Sequence, residues 1–264
     1  DGAGVKLVRV LGNLTTKEFD PILMLDSFDS INPDDYTAGF PMHPHRGIET
    51  ISYVSRGKMV HRDSLGNEAG ISDGEVQWMN SGSGIMHEEM VPAAERLLGV
   101  QLWLNLPAKD KMSKPSYNSI KNEDIKEIEI EGGKIRLLAG KYGEHEGYKG
   151  DYLSMDYYDI HLNADAEVTL TMEEDDSVMV FTLLGDVYID GEHIEEKTAV
   201  KLTEGDSLTI KNGNEKAQVL YMNSRALNEP VAWAGPIVMN TQEELQKAFL
   251  ELRSNTFIKE TAEY

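Results

Sequence analysis

The stretch His43-Pro44-His45-Arg46-Gly47-Ile48-Glu49-Thr50-Ile51-Ser52-Tyr53-Val54 places two histidines directly before a run rich in β-branched and apolar residues. A run of this kind, entered through glycine, is typical of a β-strand. Similar short runs recur along the chain between glycines and prolines, and this spacing predicts a β-sandwich or β-barrel. The predicted strands cover residues 47–54, 58–61, 75–79, 97–106, 134–138, 168–172, 178–184, 187–189, 207–210 and 217–222.

The length of 264 residues suits two domains of ordinary size. A polar stretch over residues 109–127 separates two strand-rich halves, so we place one domain at residues 1–120 and the other at residues 121–264. Each half contains a turn, a strand, a second turn and a second strand. The two turns contain Gly57 and Gly74 in the first half and Gly185 and Gly205 in the second. Two copies of one β-barrel unit are the simplest explanation of this repeat.

Only the end of the chain predicts a helix. Thr241 is a candidate N-cap, and Glu244 three residues later completes a capping box. Leu245, Ala248 and Leu252 then recur at helical spacing. We expect this helix to belong to the second domain and to pack against a barrel.

Charge and composition exclude several classes of protein. The chain has 25 Lys and Arg against 46 Asp and Glu, a net charge of −21, and it has no cysteine. A phosphate backbone or an anionic membrane would repel this charge, and no apolar run approaches the roughly 20 residues of a membrane span. Disulfides, zinc fingers, iron–sulfur clusters and thiol catalysis are excluded as well. We therefore expect no direct nucleic-acid or membrane partner, and a cytoplasmic location, or a nuclear one in a eukaryote.

Two short motifs carry candidate metal ligands. His43 and His45 stand two residues apart in an extended segment, so both imidazoles point to the same side. The same rule pairs His87 with Glu89 and sends Glu88 to the opposite face. Either motif alone is a weak signal, because an acidic strand end is often only solvated. Together in one barrel they predict a divalent metal site of three nitrogens and one carboxylate oxygen.

The residues around these motifs resemble a known family. The segments that carry the resemblance are residues 43–50, 73–79, 82–90 and 101–105, with supporting matches at 20–26 and 235–241. They are similar to the signature of the pirin family in the cupin superfamily, over most of the chain. The resemblance implies an all-β bicupin, two cupin-type β-barrels with a C-terminal helix, in which His43, His45, His87 and Glu89 bind the metal.

The resemblance also implies an activity. Several pirins are associated with quercetin 2,3-dioxygenase activity, in which a flavonol loses a proton, binds the metal as an anion, and is opened by dioxygen with loss of carbon monoxide. We therefore expect Fe(II), or another divalent transition metal, with Glu89 as both ligand and catalytic base. The expected partners are a small aromatic or enolic substrate and dioxygen, and no nucleotide-binding motif indicates an organic cofactor.

Two other functions remain open at this stage. Some pirins act as transcription cofactors or bind metabolic enzymes, so the protein could be a metal-dependent regulatory or interaction protein with a protein partner. A storage or sugar-isomerase cupin is a third hypothesis, and its residues match less well. Oxygen consumption by the iron-loaded protein with a flavonol separates the first hypothesis from the others.

The second barrel should lack a metal. The candidate ligands of the first half stand at fixed distances in sequence from its two turn glycines. The same distances, counted from Gly185 and Gly205, lead to Thr171, Glu173, Gln218 and Leu220, none of which is histidine.

Near the predicted metal site, we expect Arg46 and Gln101 to be hydrogen-bonding neighbours of the ligands and Glu49 to face the same cavity. Trp103 is predicted to lie in the core, and His61 is interpreted as a surface residue.

Overall fold

The computed structural model describes residues 4–203 and 205–261; residues 1–3, 204 and 262–264 of the predicted domains lie outside the described residues. The first ten strands are β1 (Val8–Leu11), β2 (Ile22–Ser30), β3 (Phe40–His45), β4 (Ile48–Arg56), β5 (Lys58–Asp63), β6 (Glu68–Ser72), β7 (Glu75–Asn80), β8 (Ile85–Met90), β9 (Leu97–Asn105) and β10 (Ser116–Ile120). The next twelve are β11 (Lys126–Ile130), β12 (Gly133–Ala139), β13 (Lys141–Tyr142), β14 (His145–Glu146), β15 (Met155–Leu162), β16 (Glu167–Thr171), β17 (Asp176–Leu184), β18 (Val187–Ile189), β19 (Glu192–Ile194), β20 (Ala199–Lys201), β21 (Ser207–Asn212) and β22 (Ala217–Arg225). The chain continues with β23 (Ala232–Ala234), β24 (Ile237–Met239) and the helix α1 (Gln242–Arg253), and two 3₁₀ turns cover Pro33–Asp35 and Ala108–Asp110.

The first compact unit contains the described residues up to Lys17, Ile22–Lys121 and the chain from Leu227 onward. A six-stranded sheet in the order β1-β2-β9-β4-β7-β10 and a four-stranded sheet in the order β3-β8-β5-β6 form this unit, together with the β23-β24 pair. Apolar side chains from both larger sheets, such as Val54 and Met59, share one core cluster. The two sheets therefore pack face to face as a cupin-type barrel.

The second unit contains Glu18–Pro21 and the described residues of Asn122–Ala226. Its sheets repeat the same plan, with six strands in the order β11-β12-β15-β22-β17-β20 and four in the order β16-β21-β18-β19. The interior of this barrel is filled by aliphatic and tyrosine side chains from both sheets, including Ile160, Leu170 and Ile210. The predicted all-β bicupin is confirmed.

The helix α1 groups with the first compact unit, whereas the sequence pattern assigns it to the second domain. Its buried residues Leu245 and Ala248 share a core cluster with Ile237 of β24. The start of the helix is as predicted, because the Thr241 hydroxyl accepts the Glu244 backbone N–H at 3.2 Å and the Glu244 carboxylate accepts the Thr241 N–H at 2.9 Å. The sequence thus located the helix correctly but could not show which core would receive its apolar face.

A close contact holds β24 against the end of β3. The Val238 N–H donates to the Arg46 carbonyl at 3.1 Å, and a Cβ atom at Gly47, where φ is +81°, would lie 1.9 Å from the Val238 carbonyl oxygen. Only glycine fits there. The buried Lys111 ammonium donates to the carbonyls of Gly47 and Val238 and to Asn105 Oδ1, at 2.8, 3.2 and 2.7 Å. The carboxy-terminal segment is thereby fixed beside the predicted metal-binding strand.

Candidate metal centre

The pairing of β3 with β8 brings three histidines together. His43 and His87 are directly opposite each other in this antiparallel pair, and His45 follows two residues later. The ring centroids lie 4.3 Å apart for His43 and His87, 4.8 Å for His43 and His45, and 5.0 Å for His45 and His87. The alternation of side chains along each strand is the reason that all three rings face the barrel interior.

The hydrogen bonds of two imidazoles fix which nitrogen is free. His43 Nδ1 lies 2.7 Å from the Pro41 carbonyl oxygen, and His45 Nδ1 lies 2.9 Å from the Pro236 carbonyl oxygen. A carbonyl only accepts, so each Nδ1 carries the proton and each Nε2 carries a lone pair. These two Nε2 atoms are 3.0 Å apart, and His87 Nε2 is also 3.0 Å from His43 Nε2. Two nitrogen lone pairs that face each other at this distance repel, and a cation bound between them removes the repulsion.

The protonation of the site is suited to metal binding. Burial, followed by the nearby His43, lowers the pKa of His45 to about 3. Burial and then the surrounding imidazoles likewise hold the pKa of His87 well below its ordinary value. Both rings are therefore neutral at physiological pH, which is the form that binds metals.

The donor set fits a divalent transition metal. Two nitrogens bound about 2.1 Å from one ion at a right angle are about 3.0 Å apart, and the observed Nε2 separations match this value. Imidazole suits iron, nickel, copper and zinc alike. Within the described residues, His43, His45 and His87 are the group of potential ligands with this spacing, all of their ligand atoms lying within 4.8 Å of one another.

Glu89 lies on the same face of β8 as His87 but outside this group of three. Its side chain is buried, and its carboxylate accepts hydrogen bonds from Gln101 Nε2, at 3.1 and 3.0 Å, and from Gln77 Nε2. Glu88, between them, has a side chain that is 28% exposed and lies 3.8 Å from Arg62. The predicted alternation along β8 is observed, and the role of Glu89 as a ligand stays a prediction.

Other residues near the histidines differ from expectation. Arg46 does not contact the imidazoles; its guanidinium donates to the carbonyls of Ser83 and Phe257, at 2.7 and 2.9 Å. Glu49 accepts the indole N–H of Trp78 at 3.0 Å. Arg46 is adjacent in sequence to His45 and so points to the opposite side. Glu49 is adjacent to Thr50, which is opposite Trp103 of β9, and so points away from the face that carries Trp103; the turn at Gly47, where φ is +81°, interrupts the alternation between His45 and Glu49.

His61 is not a surface residue. Its side chain is 0% exposed, and its Nδ1 lies 3.4 Å from Nδ1 of His87. Sequence reasoning missed it because β5 pairs with β8 across a separation of 26 residues. The signal that was available is the alternation Met59-Val60-His61, in which His61 shares its face with the fully buried Met59.

A cleft of about 590 Å³ opens beside the imidazoles. His43 and His45 line it together with Trp103 and Trp233, whose ring centroids lie 5.4 Å apart. The Trp103 ring meets His45 edge to face at 5.0 Å, so this predicted core residue also forms a wall of the cleft. The size is typical of small-molecule sites.

The second barrel shows no comparable group in its described residues. Gln218, one of the offset positions, donates to Asp159 at 2.8 Å, while His161 and His193 pair singly with Asp159 and Asp186. Its interior is apolar instead.

In the part of the chain that the structure describes, no helix is long and apolar enough to cross a membrane.

Comparison with known families assigns this architecture. Residues 4–104 match the family model Pirin, and residues 157–258 match the Pirin C-terminal cupin domain. The chain belongs to the pirin family. Human pirin is 35% identical to it, an alignment that covers 96% of this chain and 88% of the human protein.

Two further relatives of this pirin-family chain carry the name of an enzyme. A Pseudomonas aeruginosa protein with the provisional name quercetin 2,3-dioxygenase is 39% identical, over 96% of this chain and 92% of its own length. The crystal structure of quercetin 2,3-dioxygenase from Acinetobacter baumannii superposes with a TM-score of 0.89 at 31% identity, over 97% of this chain and 93% of that one. The recognition of a pirin from the sequence motifs is confirmed.

Proposed function

We propose that the protein is an iron-dependent dioxygenase that cleaves flavonol-type substrates, with His43, His45, His87 and Glu89 as the metal ligands. The observation that carries the proposal is the convergence of three imidazole Nε2 atoms at one end of a cleft lined by two indoles. The relatives named quercetin 2,3-dioxygenase support the same reaction class.

Fe(II) is the metal we propose, because the donor set suits several divalent ions and iron is the most available of them for oxygen chemistry. When bound, the iron supplies a Lewis acid for a substrate oxygen and an electron-exchange partner for dioxygen. Backbone carbonyls hold His43 and His45 for this role, so both rings are already oriented before a metal binds.

Glu89 is the residue we propose as both ligand and proton acceptor. Gln101 and Gln77 hold its carboxylate by hydrogen bonds inside the barrel, on the face shared with His87. A carboxylate with two oxygens can exchange one amide partner for the ion while the other oxygen takes the proton of a substrate hydroxyl.

The cleft favours a flat substrate with an enolic or phenolic hydroxyl. Trp103 and Trp233 offer aromatic faces beside the imidazoles, and such faces pack well against aromatic rings. In the proposed reaction the flavonol and one dioxygen molecule give a ring-opened ester and carbon monoxide, so that all atoms are conserved and no further reductant is needed.

The test is oxygen consumption and carbon monoxide release by the iron-loaded protein with quercetin, in parallel with other enolic and catecholic compounds. At matched iron loading, Glu89→Gln should lose most of the activity, because it removes the proton-accepting charge but keeps the shape. The control Glu88→Gln, on the opposite face of β8, should keep it. Activity retained by Glu89→Gln and lost by Glu88→Gln would refute the assignment.

A second candidate is a metal-dependent regulatory protein that binds a protein partner. The net charge of −21 favours it, because this surface is complementary to basic partner faces. Fully iron-loaded protein that consumes no oxygen with any of the compounds would favour this function over the dioxygenase.

A further inference from the structure

Two buried residues on β5 lie behind the third imidazole of the candidate metal centre. In the β5–β8 pair, His61 is opposite Glu89 and Asp63 is opposite His87. The side chains of both His61 and Asp63 are fully buried. A histidine and an aspartate buried together require partners for all their polar atoms.

These residues form a continuous line of polar atoms that ends at the metal site. His61 Nε2 lies 2.8 Å from Asp63 Oδ2, and His61 Nδ1 lies 3.4 Å from His87 Nδ1. His87 Nε2 in turn faces His43 Nε2 at 3.0 Å. The line therefore runs from a carboxylate through two imidazoles to the point where the metal ligands meet.

The position of each proton along this line follows from Asp63. Its oxygens accept the backbone N–H groups of Leu65 and Asn67, at 2.9 and 3.1 Å, and the Asn67 amide at 2.9 Å. Burial alone would raise the pKa of Asp63, but the hydrogen bonds from His61 and Asn67 outweigh it and lower this pKa. Asp63 is thus an anion that only accepts, and the proton of His61 must sit on Nε2.

The consequence passes on to His87. With its proton on Nε2, His61 presents the lone pair of Nδ1 to His87, whose Nδ1 must then be the donor. The free lone pair of His87 is left on Nε2, which faces His43. The ring of His61 cannot easily rotate away, because it stacks on Tyr117 with centroids 4.0 Å apart and planes 9° from parallel.

We propose that Asp63 and His61 are positioning residues that hold His87 in the tautomer whose Nε2 can bind the metal. This inference rests on the proposed metal centre. His43 and His45 obtain the same orientation from backbone carbonyls, whereas His87 obtains it from a side-chain relay. Loss of an outer partner of this kind typically weakens metal affinity by about 10- to 100-fold.

The first measurement needs no metal. Nitrogen-15 NMR of the metal-free protein, labelled at histidine, reads directly which ring nitrogen of His87 carries the proton. We expect the proton on Nδ1 in the unmodified protein. A proton on Nε2 of His87 there overturns the proposal without any variant.

The variants separate the relay from simple packing. His61→Phe keeps the stacking on Tyr117 but removes the acceptor, so His87 should populate both tautomers and nickel(II) affinity, measured by competition with a chromophoric chelator, should fall about 10- to 100-fold. His61→Asn keeps an amide oxygen near the position of Nδ1 and should restore most of the affinity. Asp63→Asn keeps the size of the side chain but can donate an amide N–H to His61 Nε2, which would move the His61 proton to Nδ1 and disturb the His87 tautomer. This variant serves as the test if His61→Phe does not fold.

The matched control lies in the second barrel. His161 and Asp159 have the same two-residue spacing and the same 2.8 Å distance, with His161 partly exposed. His161→Phe should change neither the His87 tautomer nor the nickel affinity. Unchanged His87 tautomer and affinity in His61→Phe or Asp63→Asn overturn the relay. Retention of metal by His45→Ala instead overturns the metal centre itself, so the two failures are distinguishable.

Discussion

Replacement of Arg46 by alanine should destabilise the first unit more than any exposed charge does. The guanidinium is only 2% exposed and lies 2.8 Å from the Glu251 carboxylate of α1. It also donates to the carbonyls of Ser83 and Phe257, at 2.7 and 2.9 Å, and stands 4.2 Å from the centroid of the Phe257 ring. One side chain therefore joins the turn before β8 to the last helix and the segment after it.

The size of the effect follows from these contacts. Removal of one partner of a buried ion pair costs about 3 to 5 kcal/mol, and each hydrogen bond to a charged group contributes about 1.5 to 3 kcal/mol. Glu251 keeps a second cation, because Lys259 lies 3.0 Å away, so the value should fall near the lower end. We expect Arg46→Ala to lose about 3 kcal/mol of unfolding free energy and Arg46→Lys, which keeps the charge but not the planar fork, to lose roughly half of that.

The assay is urea denaturation of the metal-free protein at fixed pH. The midpoints of two variants are compared only if their unfolding free energies depend on urea concentration with the same slope. Arg96→Ala is the matched control, because Arg96 makes a two-point contact with Asp29, at 2.7 and 2.8 Å, while remaining 38% exposed. It should lose less than about 1 kcal/mol. If Arg46→Ala loses no more than Arg96→Ala does, the buried guanidinium does not hold the last helix in place.

Three further outcomes are expected. His45→Ala should remove most of the bound metal while the barrel stays folded. Full metal content of this variant in elemental analysis would contradict the site. The control His193→Ala, in the second barrel, should leave the metal content unchanged. Burial lowers the pKa of Lys111 from 10.5 to about 7. The unfolded chain then binds more protons than the folded one between these values, so the unfolding free energy should rise with pH across that window, by up to about 1 kcal/mol per pH unit, and Lys111→Met should flatten the rise. Thr241→Ala should cost about 1 kcal/mol through loss of the helix cap, and an unchanged urea midpoint would show that the cap is redundant.

Period-two patterns made much of the candidate site predictable from the sequence. His43 and His45 share a face because they are two residues apart, and the same rule separates Glu89 from Glu88. The helix start could be predicted for a similar reason, because a capping box depends on residues only three apart. Features set by local geometry are readable without knowledge of the fold.

Features that depend on distant strand pairing were not readable. The burial of His61 requires that β5 lie next to β8. The return of the chain to the first unit depends on the packing of α1 against β24. Both elements are far in sequence from the other strands of that unit. Nothing near Leu245 in sequence indicates which of two similar cores will accept it.

The hydrogen bond from His45 to the carbonyl of Pro236 has a consequence for the timing of biosynthesis. The two residues are 191 positions apart, and the carbonyl fixes the proton on Nδ1 of His45. A nascent chain that has not yet reached Pro236 already contains all three imidazoles, but His45 lacks the acceptor that fixes its proton on Nδ1. The candidate metal site therefore becomes complete only after Pro236 has been synthesised, and products truncated before Pro236 should be poor competitors for the cell's metal supply.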